Sequence, residues 1–339
     1  MKICKTQKGN ILETAESVPN HHVVSIGKSG TGKSSANANI AINQQDRIVI
    51  IIDYHNSFDK STLTESNKNY FNKNSFTIDV AEEGIPINLF DPIIETDIEN
   101  ESMIERRITK MLSNATGLSR TQEDITFLAV QDVLQLELYH DEGLSAITRW
   151  LRSQDKSVAN CAAGKLRSIC DTGILYDESF WKSDKKIYYL NMNGLDYCEQ
   201  SVWVNFLMDY FMRVAMRGFF KNKGVTFYLD EVQNLDFREG STMFTMINES
   251  RKFNVNLVMA APSLFMKKEL EILGQCGTIL FFHPLQNDKK KVASLIDSQK
   301  MEKYVFRLSQ LNVGECIVCG TFKCKGETVT KPLQIAIDL

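Results

Sequence analysis

One short segment near the start of the chain constrains the fold more than any other part. Residues 27–34 read GKSGTGKS and fit the pattern G-x-x-x-x-G-K-[ST] at every fixed position. An apolar run, residues 22–26, leads into this segment, and a helix-compatible stretch, residues 33–43, follows it. A strand, a glycine-rich loop and a helix in this order are typical of a phosphate-binding loop in an α/β sheet.

The chemistry of phosphate binding accounts for each part of the motif. Glycines let the backbone curl so that its N–H groups point at the phosphates. The following helix adds the partial positive charge of its N-terminus, Lys33 neutralises the β- and γ-phosphates, and Ser34 supplies a hydroxyl to Mg²⁺. We therefore predict a site for ATP and Mg²⁺. Its predicted residues are Gly27, Lys28, Ser29, Gly30, Thr31, Gly32, Lys33, Ser34 and Ser35.

Two adjacent carboxylates, Asp230 and Glu231, end an apolar run far along the chain. Beside a phosphate loop, Asp230 would hold the Mg²⁺ shell together with Ser34, and Glu231 would orient or deprotonate an attacking water. A well-placed water favours hydrolysis over phosphate transfer to a small molecule. We predict Mg²⁺-dependent ATP hydrolysis, with Glu231 and Lys33 as catalytic residues and with Ser34 and Asp230 as metal ligands.

The order of strand-like and helical segments predicts the fold class. Residues 47–53 form a β-branched run that suits a central strand, and after residue 186 strand-like runs alternate with helical segments. This alternation predicts an α/β fold: a RecA-like P-loop NTPase with a mostly parallel sheet flanked by helices. Residues 54–75 are polar and predict a loop region. We divide the chain into a first part of the ATPase core (1–98), an all-helical insertion (99–180) and a second part of the core (181–339).

Charge and composition limit how the chain can meet a partner. With 39 Lys and Arg against 42 Asp and Glu, the net charge is −3, so no bulk positive field gathers nucleic acid. DNA would have to bind local basic patches. Residues 289–291 are three consecutive lysines that suit either a DNA channel or a solvated helix start.

Other features of the sequence bear on the cell compartment. Eight scattered cysteines and a first segment without a signal peptide predict a cytoplasmic protein with reduced thiols. The most apolar long stretch, residues 202–220, contains Asn205, Asp209, Arg213 and Arg217. These side chains suit a helix buried in the core or against a neighbouring subunit better than a membrane span.

Taken together, several segments resemble the HerA/FtsK superfamily of ring-forming motor ATPases, most of all HerA-type proteins and the motor ATPases of conjugation and type IV secretion. A Pro and a His precede the phosphate loop, as in that family, and an Asp-Glu pair followed by Val-Gln resembles its Walker B motif. The similar segments are residues 19–27, 52–55, 85–92, 229–233, 249–254 and 313–318.

The resemblance implies a ring-forming ATPase, as a hexamer, that translocates DNA or a protein–DNA substrate. It places Arg251 as a residue that reaches the γ-phosphate of a neighbouring subunit, although Arg251 and Lys252 also suit a solvated helix end. The implied partners are other copies of the chain, DNA, and a nuclease, effector or secretion-machinery protein.

Two positions leave alternatives open. Where the family has a Gln that senses the γ-phosphate, this chain has Pro262, followed by Ser263. Proline has no N–H to donate, so an ATP-dependent assembly subunit that scaffolds or gates an effector such as a nuclease is the alternative function. Asp53 and His55 end a strand that we place beside the phosphate-loop strand, where they suit a site or a plain loop equally.

Overall fold

The structure is a computed structural model, which describes the chain except residues 7, 19, 55–56, 95–97, 182–183, 263–273 and 338–339; for Asn234 it describes the backbone alone. Its strands are β1 (Lys2–Lys5), β2 (Ile11–Thr14), β3 (Val23–Ile26), β4 (Ile48–Asp53), β5 (Ser75–Asp79), β6 (Ile85–Pro86), β7 (Leu175–Tyr176), β8 (Ile187–Asn191), β9 (Val225–Leu229), β10 (Val255–Ala261), β11 (Thr278–Phe281), β12 (Glu315–Gly320), β13 (Phe322–Cys324), β14 (Glu327–Val329) and β15 (Leu333–Ala336). Its helices are α1 (Lys33–Ile42), α2 (Glu65–Asn74), α3 (Glu101–Thr116), α4 (Arg120–Gln135), α5 (Tyr139–Glu142), α6 (Ser145–Ser153), α7 (Ser157–Cys170), α8 (Tyr197–Met216), α9 (Thr242–Glu249), α10 (Lys289–Ile296) and α11 (Met301–Ser309).

A nine-stranded sheet forms the centre of the described chain, in the order β15-β12-β11-β3-β10-β9-β4-β8-β5. All pairings from β11 to β5 are parallel, whereas β12 pairs antiparallel with β11 and with β15. Strand β10 lies between β3 and β9. The predicted α/β fold with a mostly parallel sheet flanked by helices is confirmed.

The β-branched run of β4 shows why its sheet is covered on both faces. Successive side chains of a strand point to opposite faces. Ile50 and Ile52 belong to the same buried cluster as the apolar side chains of α8, and Val49 and Ile51 to the cluster that contains α1. All four side chains are fully buried, as an apolar run without alternation predicts.

Helix α8 is the long apolar helix that the sequence predicts, although it ends at Met216 rather than at residue 220. Asp196 caps its first turn by accepting hydrogen bonds from the backbone N–H groups of Cys198 and Glu199. Trp203, Phe206 and Phe211 are fully buried in the core. In the described part of the chain, no helix combines the length and the apolar character needed to cross a membrane.

Helices α3 to α7 occupy residues 101–170, between β6 and β7. These two short strands pair in parallel, with Ile85 opposite Leu175. The segment that contains α3 to α7 therefore begins and ends at the same place in the structure. Local sequence sets the helix ends: Ser119 and Gln122 form a capping box at the start of α4, and Gly117 ends α3 in the left-handed conformation.

Two parts of the fold differ from the sequence-based expectation. Residues 54–75 were expected to be a loop, but they include α2, which buries only Asn67 and Phe71 of its ten residues. Its asparagines and lysines give almost no apolar periodicity, so the sequence pattern does not predict the helix. The other addition is a small antiparallel sheet, β1-β2-β13-β14, in which β2 near the start of the chain pairs with β13 near its end.

Candidate nucleotide site

The predicted phosphate loop lies at the carboxyl end of β3, held between the ends of its two neighbouring strands. The Gly27 N–H donates to the Ala261 carbonyl at 3.2 Å, and the Lys28 N–H donates to the His283 carbonyl at 2.9 Å. A Cβ at Gly27 would lie 2.8 Å from the Cβ of Phe282. Because real Cβ atoms do not come so close, only glycine fits at the start of the loop.

Two glycines give the loop its turn. Gly30 and Gly32 have φ angles of 76° and 94°, in the left-handed region that glycine enters without strain. The Thr31 hydroxyl donates to the Lys28 carbonyl at 2.8 Å, which closes the turn, and the Gly314 N–H donates to the Thr31 carbonyl at 3.0 Å. Helix α1 starts directly afterwards without a side-chain cap, so the N–H groups of its first turn suit an anion.

Lys33 is the first residue of α1, and its side chain folds back over the loop. Its Nζ donates to the Lys28 carbonyl at 3.0 Å, and only 7% of the residue is exposed. Burial lowers the pKa of Lys33, while the Asp230 and Glu231 carboxylates act in the opposite direction. The strand order places this lysine and the predicted acidic pair at the same edge of the sheet, with β10 between β3 and β9. Ser34 and Ser35 are half-buried in the same helical turn.

The acidic pair follows β9, two strands away from the phosphate loop. Asp230 is 4% exposed, and its carboxylate accepts hydrogen bonds from the Glu231 N–H at 2.8 Å and from the Tyr228 hydroxyl at 3.4 Å. The Tyr54 hydroxyl donates to the backbone carbonyl of Asp230. These contacts fix the carboxylate that is the predicted metal ligand.

Glu231 has a backbone conformation that is rare for a residue with a side chain. Its φ and ψ are 48° and 45°, in the left-handed region, and it is half-buried. Holding such a residue there costs about 1–3 kcal/mol, and strain of this kind concentrates at functional sites.

Pro262 lies at the position where the resembling family has its sensor residue. It follows β10, whose Ala261 pairs with Ile26 on one side and whose Met259 pairs with Leu229 on the other. Position 262 is thus at the sheet edge between the phosphate loop and the acidic pair. Ser263 lies outside the described residues.

Asp53 is a structural residue rather than a free member of the site. One oxygen of its carboxylate accepts from the N–H groups of Ser57 and Phe58 and from the Ser57 hydroxyl, and the other accepts from the Tyr189 hydroxyl at 2.8 Å. Strand β4 pairs with β8 and β9, so the expectation that it lies beside the phosphate-loop strand is wrong. His55 and Pro19 are outside the described residues.

Arg251 lies at the opposite edge of the sheet from the phosphate loop. It belongs to the turn Ser250–Phe253, which precedes β10, and its side chain is exposed. Strand β10 has seven residues, so about 23 Å separates the two edges. Within one chain, the structure does not bring Arg251 together with Lys33 or Asp230.

The residues that surround the loop fit a bound Mg·nucleotide. The uncapped helix start and Lys33 supply donors for phosphate oxygens, and the buried Asp230 and the nearby Ser34 supply the oxygen ligands that Mg²⁺ prefers. Sequence reasoning missed Tyr54 and Tyr228, because a tyrosine within or next to an apolar strand looks like an ordinary core residue.

A phosphate loop after β3, an acidic pair after β9 and the strand β10 between them define the fold of a P-loop NTPase. No family model matches the chain, and no curated protein matches it. Solved structures do share its fold.

VirB4 of Thermoanaerobacter pseudethanolicus is similar over 100% of this chain and 96% of that chain, at a TM-score of 0.66 and 12% identity. The plasmid coupling protein TrwB in complex with ADP and Mg²⁺ is similar over 96% and 90%, at a TM-score of 0.61 and 10% identity. TrwB in complex with a non-hydrolysable GTP analogue covers 100% and 95%, also at 0.61 and 10%. The chain thus shares the fold of VirB4 and of TrwB.

Proposed function

We propose that this chain binds and hydrolyses ATP with Mg²⁺, as the subunit of a ring that moves DNA or a protein–DNA substrate. The observation that supports the proposal is the position of the phosphate loop and the acidic pair at the same edge of the sheet, after β3 and β9 with β10 between them. A buried lysine on a glycine loop, a buried aspartate and a half-buried glutamate form the set of groups that ATP hydrolysis requires.

Each residue has a distinct task in this proposal. The loop N–H groups and Lys33 bind the phosphates, and Asp230 and Ser34 hold the metal. Mg²⁺, when bound, neutralises charge that develops on the phosphate oxygens. Glu231 accepts a proton from the attacking water. The buried Tyr228 hydroxyl, which donates to Asp230, keeps that carboxylate in place.

The similarity in fold to VirB4 and to the coupling protein TrwB supports a motor rather than a metabolic enzyme. Arg251 supports a ring: it is exposed on the edge opposite the phosphate loop, so it could reach a γ-phosphate only in a neighbouring subunit. We propose six subunits, with DNA as substrate and a nuclease, effector or secretion protein as further partner. The three-part division of the chain at residues 98 and 180 belongs to the same proposal.

ATP turnover with and without double-stranded DNA tests this function. We expect hydrolysis that requires Mg²⁺ and that DNA stimulates. Absence of hydrolysis at saturating Mg·ATP would contradict the enzymatic proposal. Hydrolysis that DNA leaves unchanged would contradict the motor but not the ATPase.

Pro262 favours a second candidate function, an ATP-dependent assembly subunit that scaffolds or gates an effector. At the edge between β3 and β9, a side chain with a donor could sense the γ-phosphate, and proline has neither a side-chain donor nor an N–H. For this candidate we expect ATP-dependent ring formation with slow turnover that is independent of DNA. Sedimentation with ATP and with ADP, measured beside turnover, separates the two functions.

A further inference from the structure

A groove between α3 and α8, away from the nucleotide site, concentrates positive charge. Its volume is about 410 Å³. Five cationic side chains and one carboxylate line it: Arg106, Arg107, Lys110, Arg213, Arg217 and Glu99. The chain as a whole has a net charge of −3, so this concentration of cations is local.

Glu99, the carboxylate among the described residues that line the groove, is hydrogen-bonded by the protein itself. Glu99 is 2% exposed in its side chain and accepts hydrogen bonds from the Arg107 Nε at 3.0 and 3.1 Å, from the Arg217 Nη2 at 3.2 Å and from the Ile93 N–H at 3.0 Å. It thus fixes two arginines at the floor of the groove. A carboxylate with this many donors does not neutralise the remaining cations.

Among the described residues that line the groove, Arg106 and Lys110 supply accessible positive charge. Arg213 pairs with Asp209 at 3.2 Å, and Lys110 pairs with Glu123 at 2.5 Å. Arg106, which is exposed, has no ion pair within the described part of the chain. The Lys110 side chain is 55% exposed, and exposed pairs of this kind contribute only about 0–1 kcal/mol, so an incoming anion can displace Glu123.

Arg107 shows the crowding of cations most directly. Its side chain is 4% exposed, its Nη2 donates to the Asp91 carbonyl at 2.6 Å, and its buried Nη1 has no hydrogen-bond partner in the described structure. Burial lowers the pKa of Arg107, and the neighbouring Arg213 lowers it further, against the opposite effect of Glu99.

The cations are arranged in two rows rather than around one point. Arg106 and Lys110 are four residues apart on α3, and Arg213 and Arg217 are four residues apart at the end of α8. Four helical residues rise about 6 Å. This spacing resembles that of successive phosphates along a nucleic-acid strand, whereas a single phosphate group would need donors that converge.

We infer that the groove between α3 and α8 binds the phosphate backbone of nucleic acid. The inference rests on the proposed function and adds to it a binding surface for the DNA. The contacts are to phosphates, so the groove holds strands of any sequence and its binding weakens as salt concentration rises.

The test compares two double variants that remove the same charge. Arg106→Ala/Lys110→Ala removes two cations of the groove, and the control Lys290→Ala/Lys291→Ala removes two exposed lysines of α10. Fluorescence anisotropy with labelled single- and double-stranded oligonucleotides gives the affinity as a function of salt. Thermal unfolding confirms that both variants fold, as expected for exposed side chains.

We expect the groove variant to bind at least about tenfold more weakly at low salt. The slope of log K against log salt should fall by about 1.4 to 1.8, since each of the two lost phosphate contacts contributes about 0.7 to 0.9. The control variant should keep the wild-type slope. Equal losses in both variants, or no loss in the groove variant, would overturn the inference and leave the motor proposal standing. Wild-type protein that hydrolyses ATP but binds no oligonucleotide would overturn both.

A free nucleotide is the other source of phosphate, and calorimetry with ADP distinguishes it. We expect one ADP for each chain in the wild type and in the groove variant, because the phosphate loop is the nucleotide site. A second ADP in the wild type that the groove variant loses would overturn the assignment to a nucleic-acid backbone.

Discussion

The Nε2 atom of His22 lies 3.2 Å from the hydroxyl oxygen of Ser250, and both residues are fully buried. The His22 Nδ1 accepts a hydrogen bond from the Leu257 N–H at 3.1 Å, so the neutral ring carries its proton on Nε2 and donates there. His22 directly precedes the phosphate-loop strand β3, and Ser250 directly precedes Arg251. One imidazole thus joins the strand of the nucleotide site to the turn that carries the exposed arginine.

Stability should depend on pH through this histidine. Burial lowers the pKa of His22 to about 4 from an ordinary value of 6.5. Between pH 6.5 and pH 4, His22 is protonated in the unfolded chain but stays neutral in the folded chain. The free energy of unfolding therefore falls as the pH falls through this window. The loss is about 1.4 kcal/mol per pH unit and about 3 kcal/mol in all. We expect urea unfolding at pH 7 and pH 4.5 to show this loss in the wild type, and a smaller loss in His22→Gln. The same loss in both proteins would assign the pH dependence to other groups.

Lys33→Ala should strongly weaken the affinity for nucleotide. The variant removes the buried ammonium that neutralises phosphate charge, and a hydrogen bond to a charged group contributes about 1.5–3 kcal/mol, so affinity should fall at least about tenfold. Titration with a fluorescent nucleotide measures this. Lys28→Ala is the matched control, because Lys28 contributes its carbonyl to the loop while its side chain is exposed. Wild-type affinity in Lys33→Ala would show that the loop is not the nucleotide site.

Glu231→Gln should bind Mg·ATP and fail to hydrolyse it. Amide and carboxylate have the same shape, but the amide cannot accept the proton of the water, so turnover should fall by about 10²–10⁴. Asp230→Asn should instead raise the Mg²⁺ concentration needed for binding, since Asp230 is the proposed metal ligand. Turnover and nucleotide affinity, each measured over a range of Mg²⁺, separate the two effects. A Glu231→Gln protein with wild-type turnover would exclude Glu231 as the base. Asp53 is a poor replacement, because its carboxylate is held by Ser57, Phe58 and Tyr189.

Arg251 should act on the nucleotide of a neighbouring subunit. Arg251→Ala and Lys33→Ala chains should each be inactive alone, and mixing them should restore part of the activity, because some sites then combine a wild-type loop with a wild-type arginine. Light scattering must show that mixed rings form. The idea fails if mixed rings stay inactive, or if a wild-type monomer has full activity.

The strongest elements and the candidate site could be predicted from the sequence because their signals are local. The phosphate loop is recognised by four residues at set spacing, at positions 27, 32, 33 and 34, and β4 by an unbroken run of isoleucine and valine. Asp230 and Glu231 are predicted because an apolar run stops at two carboxylates. In the structure Asp230 is buried, and both carboxylates raise the pKa of Lys33 against the effect of burial.

The remaining features depend on contacts between distant residues. The role of Asp53 is set by Tyr189, 136 residues later in the chain, and β2 finds its partner β13 near the other end. Helix α2 lacks an apolar stripe and is held by polar contacts, among them the Asn67 side chain, which donates to the Asn39 side chain at 2.9 Å. Neither hydrophobic periodicity nor a sequence motif predicts such contacts.

The parallel pair β6–β7 has a consequence for how chains of this fold can diversify. Ile85 and Leu175 are opposite each other although 90 positions separate them along the chain. Residues between them can therefore be lengthened, shortened or exchanged in evolution while the register of the nine-stranded sheet stays the same. The pair is a point at which the intervening segment can change while the loop after β3 and the carboxylates after β9 keep their places in the sheet.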